Sequence, residues 1–361
     1  MNQDRLSSLH LLPPPTRSVW SANPLFPAAK WIPRPDKYAV PVELPLFWYD
    51  PPWIDLQPEL ADHLAWGVAN LDVVVSALQR DLSDDGQEST LFSPLEKEDQ
   101  PDTYLPRMLP YRVERYGLTP RDFDHTRIID VRLSAYPDAT GRLAYSPQQL
   151  QRWERPSQGA AIAGGGYVAA AAFPTDVVSL RQMQVKLDQL RELAPRAAVL
   201  ISLGPYRLEE EIAAALVAKP DGLILRMDQS ELEGLQLAGL VRRARELMIQ
   251  HEAGEKPLWI VPGPVSTRDI AKLIALGATA VAIDSWCQPL VEMLQEAAPG
   301  ERYDRQLIHE LPALVSQHLW EDIDRVIGIL SSFAPGMKPS QLLGTFHPRW
   351  AKACGATMLA P

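Results

Sequence analysis

The chain has 361 residues, with 35 Lys and Arg against 45 Asp and Glu, a net charge of −10. That acidity argues against a general nucleic-acid binder, and no apolar run reaches the ~18–20 residues of a membrane span. Two cysteines, Cys287 and Cys354, exclude a disulfide-built scaffold and any all-cysteine metal or iron–sulfur site; they suit a reducing, cytoplasmic compartment.

Proline is abundant, 34 of 361 residues, or about 9% against a usual ~5%. Much of it lies in residues 1–58, interleaved with Trp20, Phe26, Trp31, Tyr38, Phe47, Trp48, Tyr49 and Trp53. Proline fixes φ and cannot donate to a ladder, so this stretch reads as an extended arm. The arm either packs on its own domain or wraps a neighbouring subunit, making a homo- or hetero-oligomer. Residues 59–126 form a second segment. Leu60, Leu64, Val68, Leu71, Val75 and Leu78 recur at spacings of three and four and predict one helix over 58–80. Residues 81–102 carry eight acids and one Lys and read as a solvated loop.

From residue 127 to about 300 the pattern alternates. Strands are predicted at 127–134, 197–203, 221–227, 257–263 and 278–285. Helices are predicted at 176–194, 207–218, about 230–251, from Ser266, and about 288–297. Short apolar strands alternating with helices mean a parallel sheet. Four consecutive βα units favour a (β/α)8 TIM-type barrel over a doubly wound sheet. Residues 301–361 read as a helical C-terminal extension, clearest over 310–333.

Residues 257–285, PLWIVPGPVSTRDIAKLIALGATAVAIDS, resemble the late strand–loop–helix–strand of FMN-dependent barrels. Residues 128–143, 176–203 and 209–225 resemble, more narrowly, the FMN-binding synthase domain of glutamate synthase. The resemblance implies an FMN-binding, oxidoreductase-type barrel, but five departures fall on its functional rim. The phosphate loop reads Val261-Pro262-Gly263-Pro264-Val265-Ser266-Thr267-Arg268, and its two prolines remove N–H donors that would hold a phosphate. Gly263, Ser266, Thr267 and Arg268 would form a degenerate phosphate loop; alternatively Ser266 with Asp269 is only a capping box. The family's strand-end lysine aligns with Ser202. Its Gly-rich loop becomes Arg226-Met227-Asp228-Gln229-Ser230. Its Gln- and Lys-bearing loop becomes Ala135-Tyr136-Pro137-Asp138. Its cluster cysteines are reduced to Cys287 alone.

The rim that remains holds Ser202, Arg226, Asp228, Gly263, Ser266, Thr267, Asp284 and Ser285. Arg226 either pairs with Asp284 or Asp228 and plugs the barrel mouth, or binds an anionic ligand. Histidines 63, 309, 318 and 347 read as surface or packed residues and suggest no metal, and no catalytic triad can be assembled. The expectation is a barrel that has lost flavin and iron–sulfur chemistry, carries no cofactor, and serves as a structural or regulatory subunit. The alternatives are an active FMN oxidoreductase with altered substrate, or a barrel binding another phosphorylated or small anionic metabolite.

Overall fold

The computed structural model describes residues 4–13, 31–34, 39–78, 105, 107–112, 118, 120–124, 126–133, 144–145, 168–169, 173–174, 177–228, 231–297, 305–333 and 337–360. Eight short strands carry the architecture: β1 (Leu46–Trp48), β2 (Val74–Ser76), β3 (Arg107–Arg112), β4 (Thr126–Arg132), β5 (Ala198–Leu203), β6 (Gly222–Arg226), β7 (Leu258–Val261) and β8 (Ala280–Ala282). Each pairs in parallel with the next, and β8 closes on β1 through Val281↔Leu46 and Ala282↔Phe47. The result is a closed (β/α)8 TIM-type barrel.

The strand interiors explain the closure. Alternate side chains point inward, so Phe47, Val74, Met108, Ile128, Leu200, Ile224, Trp259 and Ala282 share one buried cluster. Phe47 and Trp259 meet with ring centroids 4.6 Å apart. The opposite faces join a larger outer cluster with the helices. These are α1 (Pro58–Ala69), α2 (Gln184–Leu193), α3 (Leu208–Val217), α4 (Gly234–Gln250), α5 (Thr267–Ala275) and α6 (Asp284–Ala297). A longer helix, α7 (Arg305–Leu330), packs against α1, with Val315 set directly over Gly67.

The barrel begins earlier than the sequence pattern suggests. Its first three strands lie within residues 46–112, ahead of residue 127. Residues 58–80 are not one helix: α1 ends at Ala69, Asp72 takes a left-handed conformation (φ 60°), and the β-branched run Val73-Val74-Val75 enters β2. The acidic loop 81–102 and the loop 134–143 lie outside the described residues.

The described parts of the N-terminal arm pack on their own barrel. Trp31–Pro33 pairs antiparallel with Ala39–Pro41, and Ile32, Val40 and Val42 join the interior cluster, capping the N-terminal end of the barrel. Leu6 and Leu9 are buried, and His10–Leu11 pairs with Leu343–Thr345 of the C-terminal extension. Among the described residues, no helix is long and apolar enough to cross a membrane. Cys287 and Cys354 are both buried free thiols.

Candidate functional site at the barrel mouth

Barrel sites lie where the strands end in the C-terminal direction. There the interior turns from apolar to charged. Along β4 the inward positions run Ile128, Asp130, Arg132, so one strand carries a carboxylate and a guanidinium into the mouth. Tyr49 and Asp50 follow β1, Ser76 ends β2, Arg112 ends β3, Ser202 lies late in β5, and Arg226 ends β6. Asp130, Ser202, Arg132, Arg226 and Arg112 are all buried.

Each charge is matched. Asp130, fully buried, accepts from Ser202 Oγ and from Arg132 Nε (2.7 Å). Arg132 also donates to Asp50 Oδ1 (2.9 Å), the Tyr49 carbonyl (2.6 Å) and Ser76 Oγ (3.0 Å). Arg112 donates to Asp50 at 3.1 Å. Arg226 forms a two-point contact with Asp228, Nε at 3.3 Å and Nη2 at 3.0 Å. The buried Tyr49 ring sits beneath two guanidiniums, Arg132 at 4.0 Å and Arg226 at 5.0 Å from its centroid. These are cation–π distances. Its hydroxyl shares a hydrogen bond with Ser202 Oγ (3.1 Å).

The acids titrate in opposite directions. Burial pushes the Asp50 carboxyl up, but Arg132, Arg112 and Arg226 outweigh it and hold Asp50 at about 2. Asp284, at the start of α6, accepts backbone N–H groups from Tyr49 (3.2 Å) and Asp50 (2.7 Å). Burial, with Asp50 and Asp228 nearby, nevertheless raises it to about 7. Burial also raises the Tyr49 phenol, which stays neutral.

Of the residues predicted for the rim, Ser202, Arg226, Asp228 and Asp284 gather at this mouth. Arg226 pairs with Asp228, one of the two partners expected. Ser285 Oγ is buried beside them and makes no hydrogen bond among the described residues. Gly263 and Ser266 sit in an adjoining corner between the loops that follow β6 and β7, where a Cβ on Gly263 would meet Asp228 Cα at 3.6 Å. Ser266 Oγ accepts from the Asp269 N–H (3.1 Å) while Asp269 Oδ2 accepts from the Ser266 N–H (3.2 Å), a reciprocal capping box. Thr267 is buried in the first turn of α5, and Arg268 is exposed. Arg5, from the N-terminal segment, fills the corner. Its guanidinium donates to the carbonyls of Pro262 (2.7 Å), Leu232 (2.7 Å) and Pro264 (3.4 Å).

Sequence reasoning misses Tyr49, Asp50, Arg112, Asp130, Arg132 and Arg5. Tyr49, Asp50 and Arg5 lie in the arm read as extended. Asp130 and Arg132 were legible as charges two apart on the inward face of a predicted strand.

A cleft of about 540 Å³ also exists, bordered by Arg34, Asp188, Arg191 and Lys219. It lies at the opposite end, where the chain enters β5 and β6, away from the mouth.

No protein-family model and no curated protein matches the chain. Solved structures share its shape. A mandelate oxidase variant with a C4a-OH-FMN adduct is 13% identical, covering 91% of this chain and 87% of that one, with a TM-score of 0.47. A putative lactate oxidase of Pediococcus acidilactici is 12% identical over 90% and 82%, with a TM-score of 0.45. A flavocytochrome b2 variant with pyruvate bound is 12% identical over 99% and 80%, with a TM-score of 0.48. At these identities and scores the likeness is one of shape and transfers no activity.

None of the three is a glutamate synthase, so that narrower resemblance gains no support. The expectation of no cofactor is corrected here. Against it stands the mandelate oxidase variant, a structure of the same shape that holds an FMN adduct. At the β7 corner several backbone donors that a phosphate would use are absent or engaged. Pro262 and Pro264 have no N–H, the Ser266 and Asp269 N–H groups serve the capping box, and Arg5 faces carbonyls.

Proposed function

We propose that the chain is an FMN-oxidase-like barrel whose mouth binds a small carboxylate-bearing metabolite on Arg226. The observation that carries this reading is the Arg226–Asp228 contact. A buried guanidinium holds a carboxylate by two nitrogens at the mouth, and that carboxylate is 24% exposed on a loop. Two-point guanidinium–carboxylate contacts are geometrically specific. Asp228 therefore marks the place and orientation a ligand carboxylate would take after displacing it.

The neighbouring charges set the terms of the exchange. Arg132 is fully engaged by Asp130, Asp50, Tyr49 and Ser76 and acts as a positioning group for Tyr49. Asp284, raised to about 7, is partly protonated near neutrality. It stands ready to hold a proton at the mouth instead of repelling an arriving anion. Oxidation of a bound acid needs an electron acceptor, and FMN would supply that chemistry. The resemblance of residues 257–285 to FMN barrels favours this second element. No step is assigned to the flavin.

The test is calorimetric titration of the full chain with acetate, pyruvate and benzoate, beside a visible absorption spectrum of the freshly purified protein with and without added FMN. Asp228→Asn removes the internal competitor. Where Asp228 occupies Arg226 about nine-tenths of the time, affinity should rise about tenfold. Arg226→Met should abolish binding. Carboxylate binding unchanged in both variants would refute the assignment to Arg226. A bound flavin would establish the oxidoreductase element, and a colourless protein that takes up no FMN would remove it.

A further inference from the structure

We infer that the corner between the β6 and β7 loops is a guanidinium site, and that Arg5 of the N-terminal segment is its resident ligand. The inference stands apart from the carboxylate reading of Arg226.

Chemistry sets the sign of the corner. A proline contributes a carbonyl and no N–H, so Pro262 and Pro264 leave this loop rich in acceptors and poor in donors. Gly263 between them adopts φ +77°, a left-handed conformation that favours glycine. It brings both flanking carbonyls to a single nitrogen, Arg5 Nη1, while Nη2 reaches the Leu232 carbonyl on the β6 loop. Three carbonyls from two loops thus converge on one planar cation, a match to the fork of arginine and a poor one to a phosphate.

The backbone of the segment is received as specifically as its side chain. Asp269, fully buried in α5, accepts the N–H of Arg5 (3.0 Å) and of Leu6 (2.9 Å) on its two oxygens. Lys272, one turn on, donates to both oxygens of Asp4 (2.9 and 3.1 Å) and to the Leu6 carbonyl (2.9 Å). At Gly234, the first residue of α4, an added Cβ would lie 2.0 Å from the Arg5 carbonyl oxygen. That glycine gives the N-terminal segment room to lie against the helix. The segment consequently lies against the β7 loop, which barrels of this kind commonly use, together with the loop after β8, for phosphate.

The test is chemical rescue in the full chain. Arg5→Ala should melt several degrees below the parent. Low-millimolar guanidinium chloride should restore part of that loss against a sodium chloride control, and should leave the parent unmoved at the same concentration. Sodium phosphate should restore nothing. Arg5→Gln, which keeps the stem and an amide donor, carries the same expectation if Arg5→Ala does not fold. Stabilisation of the variant by phosphate would overturn the assignment and show an anion corner. No response to either ion, or an equal response of parent and variant to guanidinium, would also overturn it.

Discussion

Asp130→Ala is the most direct probe of how the mouth is held. Asp130 is completely buried and bridges two strands: one oxygen accepts from Ser202 Oγ on β5, the other from Arg132 Nε at 2.7 Å. Removing one partner of a buried pair costs ~3–5 kcal/mol, because the other charge stays desolvated. Arg132 keeps Asp50, the Tyr49 carbonyl and Ser76, which places the expected loss at the lower end, about 3 kcal/mol. With an unfolding entropy of ~2.1 cal/mol/K per residue, a chain of 361 residues has about 0.8 kcal/mol/K, so the melting temperature should fall by about 4 °C. Thermal melts and urea titrations at neutral pH measure it. Asp130→Asn keeps the volume and one acceptor and should lose roughly half as much. A double-mutant cycle with Ser202→Ala should return a coupling of about 1 kcal/mol or more, since the two residues share a hydrogen bond. If Asp130→Ala and Asp130→Asn both melt within a degree of the parent, the mouth is not held by this bridge. Arg132 would then have to find its compensation elsewhere.

Asp284 and Asp50 should give opposite pH signatures. The folded pKa of Asp284, about 7, lies above its ordinary value. The folded state therefore binds more protons than the unfolded one between pH ~4 and ~7, and stability falls as pH rises through that window. Asp284→Asn should remove this slope, so that the variant gains on the parent between pH 5 and 8 in urea midpoints; a constant difference across that range would contradict the assignment. Asp50, held at about 2, contributes stability that is lost only as pH falls below its ordinary carboxylate range. Gly234→Ala should expel the N-terminal segment without harming α4, since alanine is the better helix former. Trypsin should then cut after Arg5 in the variant much faster than in the parent, and equal protection in both would show that the segment is not seated against Gly234.

The barrel was legible where local and global signals agree. From β4 onward each strand is a short apolar run bounded by turn residues, and each helix carries a single apolar face, so the period switches cleanly along the chain. It was not legible over residues 46–112. Leu46-Phe47-Trp48 is a three-residue strand inside a proline-rich stretch, and its neighbours in space come from β8 and β2. Nothing local reveals such a pairing. The single helix predicted over 58–80 failed for another reason. Leu71, Val75 and Leu78 continue the helical spacing by coincidence, while the signal that ended α1 was the single turn Asn70-Leu71-Asp72, which carries no glycine or proline.

The site followed the same logic. A proline with no N–H to donate is visible at one position. The contacts made at the site are not, because each is made by residues far apart in sequence. Arg5 reaches loops 227 and 257 positions away, and Asp50 meets Arg132 across 82. The prolines of the β7 loop show the cost of reading only half the chemistry. Counted as missing donors, they describe a damaged phosphate site. Counted also as carbonyls with no competing N–H, they describe a receptor for a cation. Only the segment carrying Arg5, folded back across the barrel, decides between the two. A loop poor in donors for one ligand should therefore be examined for the opposite charge before it is taken to be empty of function.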